Sequence, residues 1–243
     1  QGNSEVETFV KTNGEKETIT TDKAAGTITV TRMELENGVL VAKNVGTGTS
    51  STVNGISTQT INLGGGEVEI RVWNPTTGIE TITELKDGVT LEITTEQTDE
   101  NGNNIVETDI YSGGDANTLG TVNSSTNTVT SVDNTVQKTV IAAADSNGTR
   151  AVTVTESGTD GSGKDFSKVL GTGTQKVVNN ETIKEVMLAD NSKVVEKYDA
   201  NNEMIQKTIA DQGGDSKVST FTNGKEVIAY QDAGGAAIEA SEV

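Results

Sequence analysis

Apolar and polar residues alternate along most of this chain. Val68, Ile70 and Val72 are separated by Glu69 and Arg71, and Val89, Leu91 and Ile93 by Thr90 and Glu92. Ile28 and Val30 stand between Thr27, Thr29 and Thr31. Period two is the mark of a strand, because successive side chains point to opposite faces of a sheet. Met33 and Leu35 fall out of phase with Ile28 and Val30, which predicts a β-bulge near Arg32. Turn residues separate the alternating runs. Asn13-Gly14, Asn37-Gly38, Asp87-Gly88, Asn101-Gly102, Asn147-Gly148, Asp160-Gly161 and Asn223-Gly224 suit type I′ hairpins, where both central residues need positive φ. Softer signals lie at 22–26, 47–51, 64–66, 74–78, 112–115, 124–125, 134, 171–173, 190–192, 201–202, 213–214 and 234–235. Asn54-Gly55 is out of step with these and reads as a bulge or a second turn in one loop. The mean spacing is about 11 to 12 residues, a strand plus a turn. Over 181–190, Ile183, Val186 and Met187 show i, i+3, i+4 spacing, so a helix stays open there, although the flanking turns favour a strand. The expected fold is all-β. It is a long antiparallel β-meander of many short hairpins, single-layer or a thin two-sheet stack, with little or no helix.

Composition supports this. The 243 residues include 39 Thr, 27 Val and 16 Ile, all β-branched and suited to strands. Aromatic residues make up only 3%, so any core must be thin and aliphatic. Residues 112–137 form a Ser/Asn/Gly/Thr island whose only charges are Asp115 and Asp133. This suggests a β-meander lobe over 1–111, a polar connection or edge strands over 112–137, and a second lobe over 138–243. The strand–turn–strand unit recurs loosely, as in 195–208 and 219–231, without a strict sequence repeat.

The stretch Asn147-Gly148-Thr149-Arg150, Asp160-Gly161-Ser162-Gly163-Lys164 and Val169-Leu170 resembles a segment of the outer surface protein A lipoproteins of spirochaetes. The resemblance implies an architecture only: a free-standing, single-layer antiparallel meander.

Charge and missing residue types narrow the chemistry. Lys plus Arg is 18 and Asp plus Glu is 36, a net charge of −18 that argues against a nucleic-acid partner. Cys and His are absent, which removes thiolate metal sites, disulfides and the Ser-His-Asp triad. The longest apolar run, Val140 to Ala144, is far short of the roughly 20 residues of a membrane-spanning helix. Paired carboxylates are the catalytic groups that remain: Asp99 with Glu100, Glu107 with Asp109, and Asp160 with Asp165. They read as solvated turn and strand charges, so no enzyme is expected. Asp99-Glu100-Asn101-Gly102-Asn103 and Asp199-Ala200-Asn201-Asn202-Glu203 alternate oxygen side chains as calcium loops do, without the EF-hand spacing. Calcium is therefore the one cofactor to consider, and hairpin turns are the simpler reading. Gly64-Gly65-Gly66 lacks the Lys-Ser/Thr of a phosphate loop. Sequons stand at Asn123, Asn147 and Asn180.

The functional expectation is an extracellular or cell-surface structural protein whose partners are copies of itself. It would form a filament, sheath or surface layer by strand addition, with Glu5–Val10 and Ala236–Val243 as donor segments. Beginning at Gln1 and not Met fits removal of a secretion signal or artificial trimming of the chain. The alternative is an adhesin or phage-fibre-like module that binds a host glycan or surface protein, with Trp73, Tyr111 and Tyr198 as its anchors.

Overall fold

The computed structural model describes residues 4–10, 16–37, 39–223 and 225–239. These are all-β, with no helix. The chain divides into two compact units, 1–101 with 105–122, and 102–104 with 123–243. The first is built from β1 (Ser4–Val10), β2 (Lys16–Asp22), β3 (Thr27–Glu36), β4 (Val39–Val53), β5 (Ile56–Gly64), β6 (Glu67–Asn74), β7 (Ile79–Lys86), β8 (Val89–Thr98) and β9 (Asn104–Ser112). The second holds β10 (Thr121–Thr130), β11 (Val136–Ala144), β12 (Arg150–Thr159), β13 (Asp165–Val178), β14 (Glu181–Leu188), β15 (Lys193–Tyr198), β16 (Met204–Ala210), β17 (Ser216–Thr222) and β18 (Lys225–Gln231). Each strand from β1 to β8 pairs antiparallel with the next, and so does each from β10 to β18. The meander is therefore real, and the segment with helical spacing is the strand β14. There Val186 is buried while Met187 faces outward, as a strand requires.

Two kinds of turn account for most of the described hairpins, and at 22–26 and 74–78 a third closes with the Gly26 or Gly78 N–H donating to the Asp22 or Asn74 carbonyl. Asn54-Gly55, Asp87-Gly88 and Asn179-Asn180 have positive φ at both positions and form the tight two-residue turns. Asn54-Gly55 is thus a proper β4–β5 turn. The expected Asn13-Gly14 turn lies outside the described residues. At Asn147-Gly148 and Asp160-Gly161 the expectation of a type I′ turn fails. A five-residue loop replaces it, with one left-handed residue at its fourth position, Gly148 or Gly163. In the loop 145–149 the Asp145 N–H donates to the Thr149 carbonyl (2.8 Å) and the Gly148 N–H to the Asp145 carbonyl (3.0 Å). Asp145 Oδ1 accepts from the N–H groups of Asn147 and Thr149. The same backbone pattern recurs at 131–135, 160–164, 188–192, 199–203, 211–215 and 232–236. A carboxylate at the first loop position (Asp145, Asp160, Asp199, Asp211, Asp232) or at the third (Asp133, Asp190) accepts from loop N–H groups, which favours this longer loop over the tight one.

Three soft turn signals are strand interior instead. Residues 47–51 lie inside β4, 171–173 inside β13 and 124–125 inside β10. The glycines of Gly46-Thr47-Gly48-Thr49 and Gly171-Thr172-Gly173-Thr174 are required by close approach. A Cβ on Gly48 would stand 2.2 Å from the Thr60 carbonyl oxygen, and one on Gly173 1.8 Å from that of Glu185. The bulge also differs from expectation. It lies on β4, where Val45 is the extra residue between the Thr31↔Asn44 and Val30↔Gly46 pairs. β3 itself keeps its alternation, so Met33 and Leu35 stay on the face opposite Ile28 and Val30, exposed to solvent.

In the first unit the sheet curls. Four strands separate β1 from β6, a distance of roughly 24 Å in a flat sheet. Yet Glu7 Oε2 on β1 lies 3.6 Å from Arg71 Nη1 on β6. The meander of this unit is therefore a curled layer and not a flat one. Its inner face has an apolar end, where Ile19, Ile28, Val30 and Ile61 are almost fully buried with Val45 and Leu63 against them. Its other end is charged. Burial is thin throughout: the chain exposes 15047 Å², against about 10,000 Å² for a compact protein of this mass.

The two units repeat one plan nine strands apart. β4 and β13 are the longest strands, at 15 and 14 residues. Each carries Gly-Thr-Gly-Thr directly after a bulge, at Val45 in one and Leu170 in the other. Ile28 pairs with Gly48 as Val152 pairs with Gly173, and Ile61 pairs with Gly48 as Val186 pairs with Gly173. Tight Asn turns close both following hairpins. The repeat lies in register and burial; beyond Gly-Thr-Gly-Thr few side chains are shared, which is why alternation alone does not reveal it.

Among the described residues, the β3–β4 hairpin runs alone beyond Arg32 on β3 and before Thr47 on β4. Among the described residues, β2 pairs with β3 only over 27–32 and β5 with β4 only over 47–53. Residues 33–36 and 39–44 pair solely with each other. Among the described residues both outer edges of this two-stranded arm are unpaired, and Leu35 (70%) and Leu40 (63%) are exposed on one of its faces.

Candidate binding site

The charged end of the first unit's inner face forms a cavity of about 210 Å³. Glu5 and Glu7 reach it from β1, Ser57 and Gln59 from β5, Arg71 and Trp73 from β6, and Glu80 from β7. Register places them together. Gln59 pairs with Arg71, and Trp73 stands between Ser57 and Glu80. Because the pairs are directly opposite across antiparallel strands, their side chains share one face.

Carboxylates dominate the site. Arg71 Nε donates to Glu69 Oε1 (2.5 Å) and is approached by Glu7. Burial pushes the Glu80 carboxyl above the ordinary carboxylate range; Arg71 draws it back, while Glu7, Glu96 and Glu69 add to the rise. The buried amide oxygen of Gln59 accepts no hydrogen bond from any described residue. Trp73 keeps 44% of its surface exposed. The site thus presents acceptors and an aromatic surface, with its single cation already paired.

The matching positions of the second unit carry Lys184 for Gln59, Glu196 for Arg71 and Tyr198 for Trp73. Lys184 Nζ lies 2.5 Å from Glu196 Oε2 and 6.0 Å from the centre of the Tyr198 ring. Lys207 on β16 reaches Glu196 Oε1 at 3.1 Å, and the Tyr198 hydroxyl donates to Glu196 Oε2 at 2.9 Å. Burial alone would raise the Glu196 carboxyl, but the two lysines hold it below the ordinary range.

The residues singled out from sequence are dispersed. Asp160 sits in a turn, where Ser162 and the Lys164 N–H lower its carboxyl, and Asp165 accepts from Thr159 Oγ1. Glu107 and Asp109 lie on β9, and Asp99 accepts from the Asn101 N–H. In 199–203, Asp199 Oδ1 accepts from the N–H groups of Asn201 and Glu203. Asp199 thus serves the turn, and among the described residues no group of three or more acidic side chains is placed to hold a metal ion. Asn123, Asn147 and Asn180 are exposed. Tyr111, on β9, does not line the cavity, and burial followed by Asp109 raises its phenol. Sequence reading found Trp73 but missed Gln59, Arg71 and Glu80. Each sits on an alternating run, and only the turn lengths reveal that the runs align.

No protein-family model matches the chain, and no curated protein does, so neither comparison links it to the spirochaete lipoproteins. One solved structure is described as a porin-like protein from Bacteroides uniformis. It aligns over 93% of this chain and 92% of its own at 12% identity, with a TM-score of 0.23. That score carries no shared property. Among the described residues no helix is long and apolar enough to cross a membrane.

Proposed function

We propose that this protein is an extracellular or cell-surface structural subunit that assembles with copies of itself, and that the β3–β4 arm is the assembling element. The arm is the observation that supports this reading. Two strands whose outer edges are unpaired among the described residues, with an aliphatic face in water, are a template for strand addition. An isolated two-stranded hairpin is marginally stable in water, so a docked neighbour would complete it. The terminal segments fit the donor role less well. β1 already pairs along its length with β2, and Ala237 bridges back to Gln231; residues 240–243 lie outside the described residues. Sedimentation and negative-stain microscopy of the parent and of Leu35→Lys/Leu40→Lys test the proposal. Parent oligomers or fibres that the double variant loses are the expected result. A parent that stays monomeric at high concentration removes self-assembly. The Trp73 cavity favours a second reading, a recognition module.

A further inference from the structure

We propose that the cavity of the first unit binds an alkylammonium group, the chemistry shared by a lysyl side chain of a partner protein and a small free amine. Four observations converge on it. The cavity is lined by Glu5, Glu7 and Glu80, against the single cation Arg71, which Glu69 already engages. An ammonium offers donors and a positive charge together, which neutral sugars and anions do not. Gln59 lines the wall, and its buried amide oxygen lacks a donor among the described residues; a turn of that amide toward the cavity would let an ammonium N–H supply one. Trp73 presents an aromatic surface to the cavity, the kind of surface cations favour.

The fourth observation comes from the repeated plan. At the matching place in the second unit, the chain supplies the ammonium itself. Lys184 extends over the ring that corresponds to Trp73 and is held by a carboxylate on the neighbouring strand. In the first unit that lysine is replaced by the shorter, neutral Gln59, and the carboxylates come from β1 and β7. One copy of the plan therefore sets a lysine against its ring, and the other, whose own cation Arg71 is engaged by Glu69 and Glu7, leaves a cavity of about 210 Å³ between its aromatic and the acids. This inference does not depend on assembly through the arm, since none of the cavity residues belongs to the arm.

Trp73 is the only Trp, so its emission reports on the site directly. The full chain is titrated with cadaverine, with Nα-acetyl-lysine amide, and with methyl glucoside as a neutral control at matched ionic strength. A saturable change with the ammonium probes and none with the sugar is expected. Glu80→Gln is expected to weaken it about tenfold or more, as removal of a charged partner does. Gln59→Lys with Arg71→Glu, which copies the second unit's pair, is expected to abolish it. Tighter binding of the lysine amide supports a protein partner, and tighter binding of cadaverine a free amine. No saturable change with either amine, an equal change with the sugar, or unaltered binding in both variants overturns the proposal. Circular dichroism of the variants confirms that they are folded.

Discussion

Single atoms decide several positions in this chain. Gly48 and Gly173 face neighbouring carbonyl oxygens at distances no Cβ tolerates. Gly48→Ala and Gly173→Ala are each expected to destabilise the fold by about 2–3 kcal/mol, the usual cost of overpacking. Gly161→Ala, where the added methyl meets nothing and φ is not positive, is expected to be near neutral, and urea unfolding of the three variants checks this. The turn carboxylates titrate with a definite sign. Asp133, Asp160 and Asp190 are held below their ordinary value by hydrogen bonds from Thr135, from Ser162 and Lys164, and from Ser192. Each contributes stability that is present above the ordinary Asp value and is lost as pH falls through the depressed one. Ser162→Ala is expected to move the Asp160 titration back up, visible by NMR of its carboxyl carbon. Glu80 has the opposite sign. Its raised value means the folded state gains stability as pH falls through that value, and ionised Glu80 costs stability at neutral pH. Glu80→Gln is therefore expected to unfold at equal or higher urea concentration than the parent at pH 7, and weaker amine binding by that variant would not reflect unfolding.

At the scale of strands and turns, much was legible in the sequence. The alternation in 67–74 and 89–93 marks β6 and β8, and Asp87-Gly88 is the turn between β7 and β8. What was not legible has a common physical cause. Gly and Asn signal a bend only through the backbone they permit, and the same residues also answer close approach between strands. Gly-Thr-Gly-Thr looks like a turn and is strand interior, because its need for Gly comes from the carbonyl groups of the next strand. Asn147-Gly148 looks like a two-residue turn, but Asp145 recruits the longer loop by accepting two N–H groups. Asp145→Ala is expected to cost about 1 kcal/mol or less, since one exposed side-chain acceptor is lost, with the effect read as a shift in the urea midpoint. The candidate site was less legible than the fold. Its members come from four strands, and a one-residue error in any turn would send half of them to the other face.

For the whole molecule, charge and repetition matter most. A net charge of −18 repels other copies over about a Debye length, roughly 10 Å at 0.1 M salt. Assembly through the arm is therefore expected to strengthen as salt rises, because its contact residues are aliphatic and the repulsion is screened. Light scattering across a sodium chloride series checks this, and weaker association in salt would point to ion pairing between copies instead. The repeated plan has a further consequence for heredity. Exchanging Gln59 and Arg71 for Lys and Glu would give the first copy the second copy's pair at those two matching positions. A lineage carrying both copies can open or seal such a site with a pair of codon changes, leaving every strand, bulge and turn of the inherited scaffold in place.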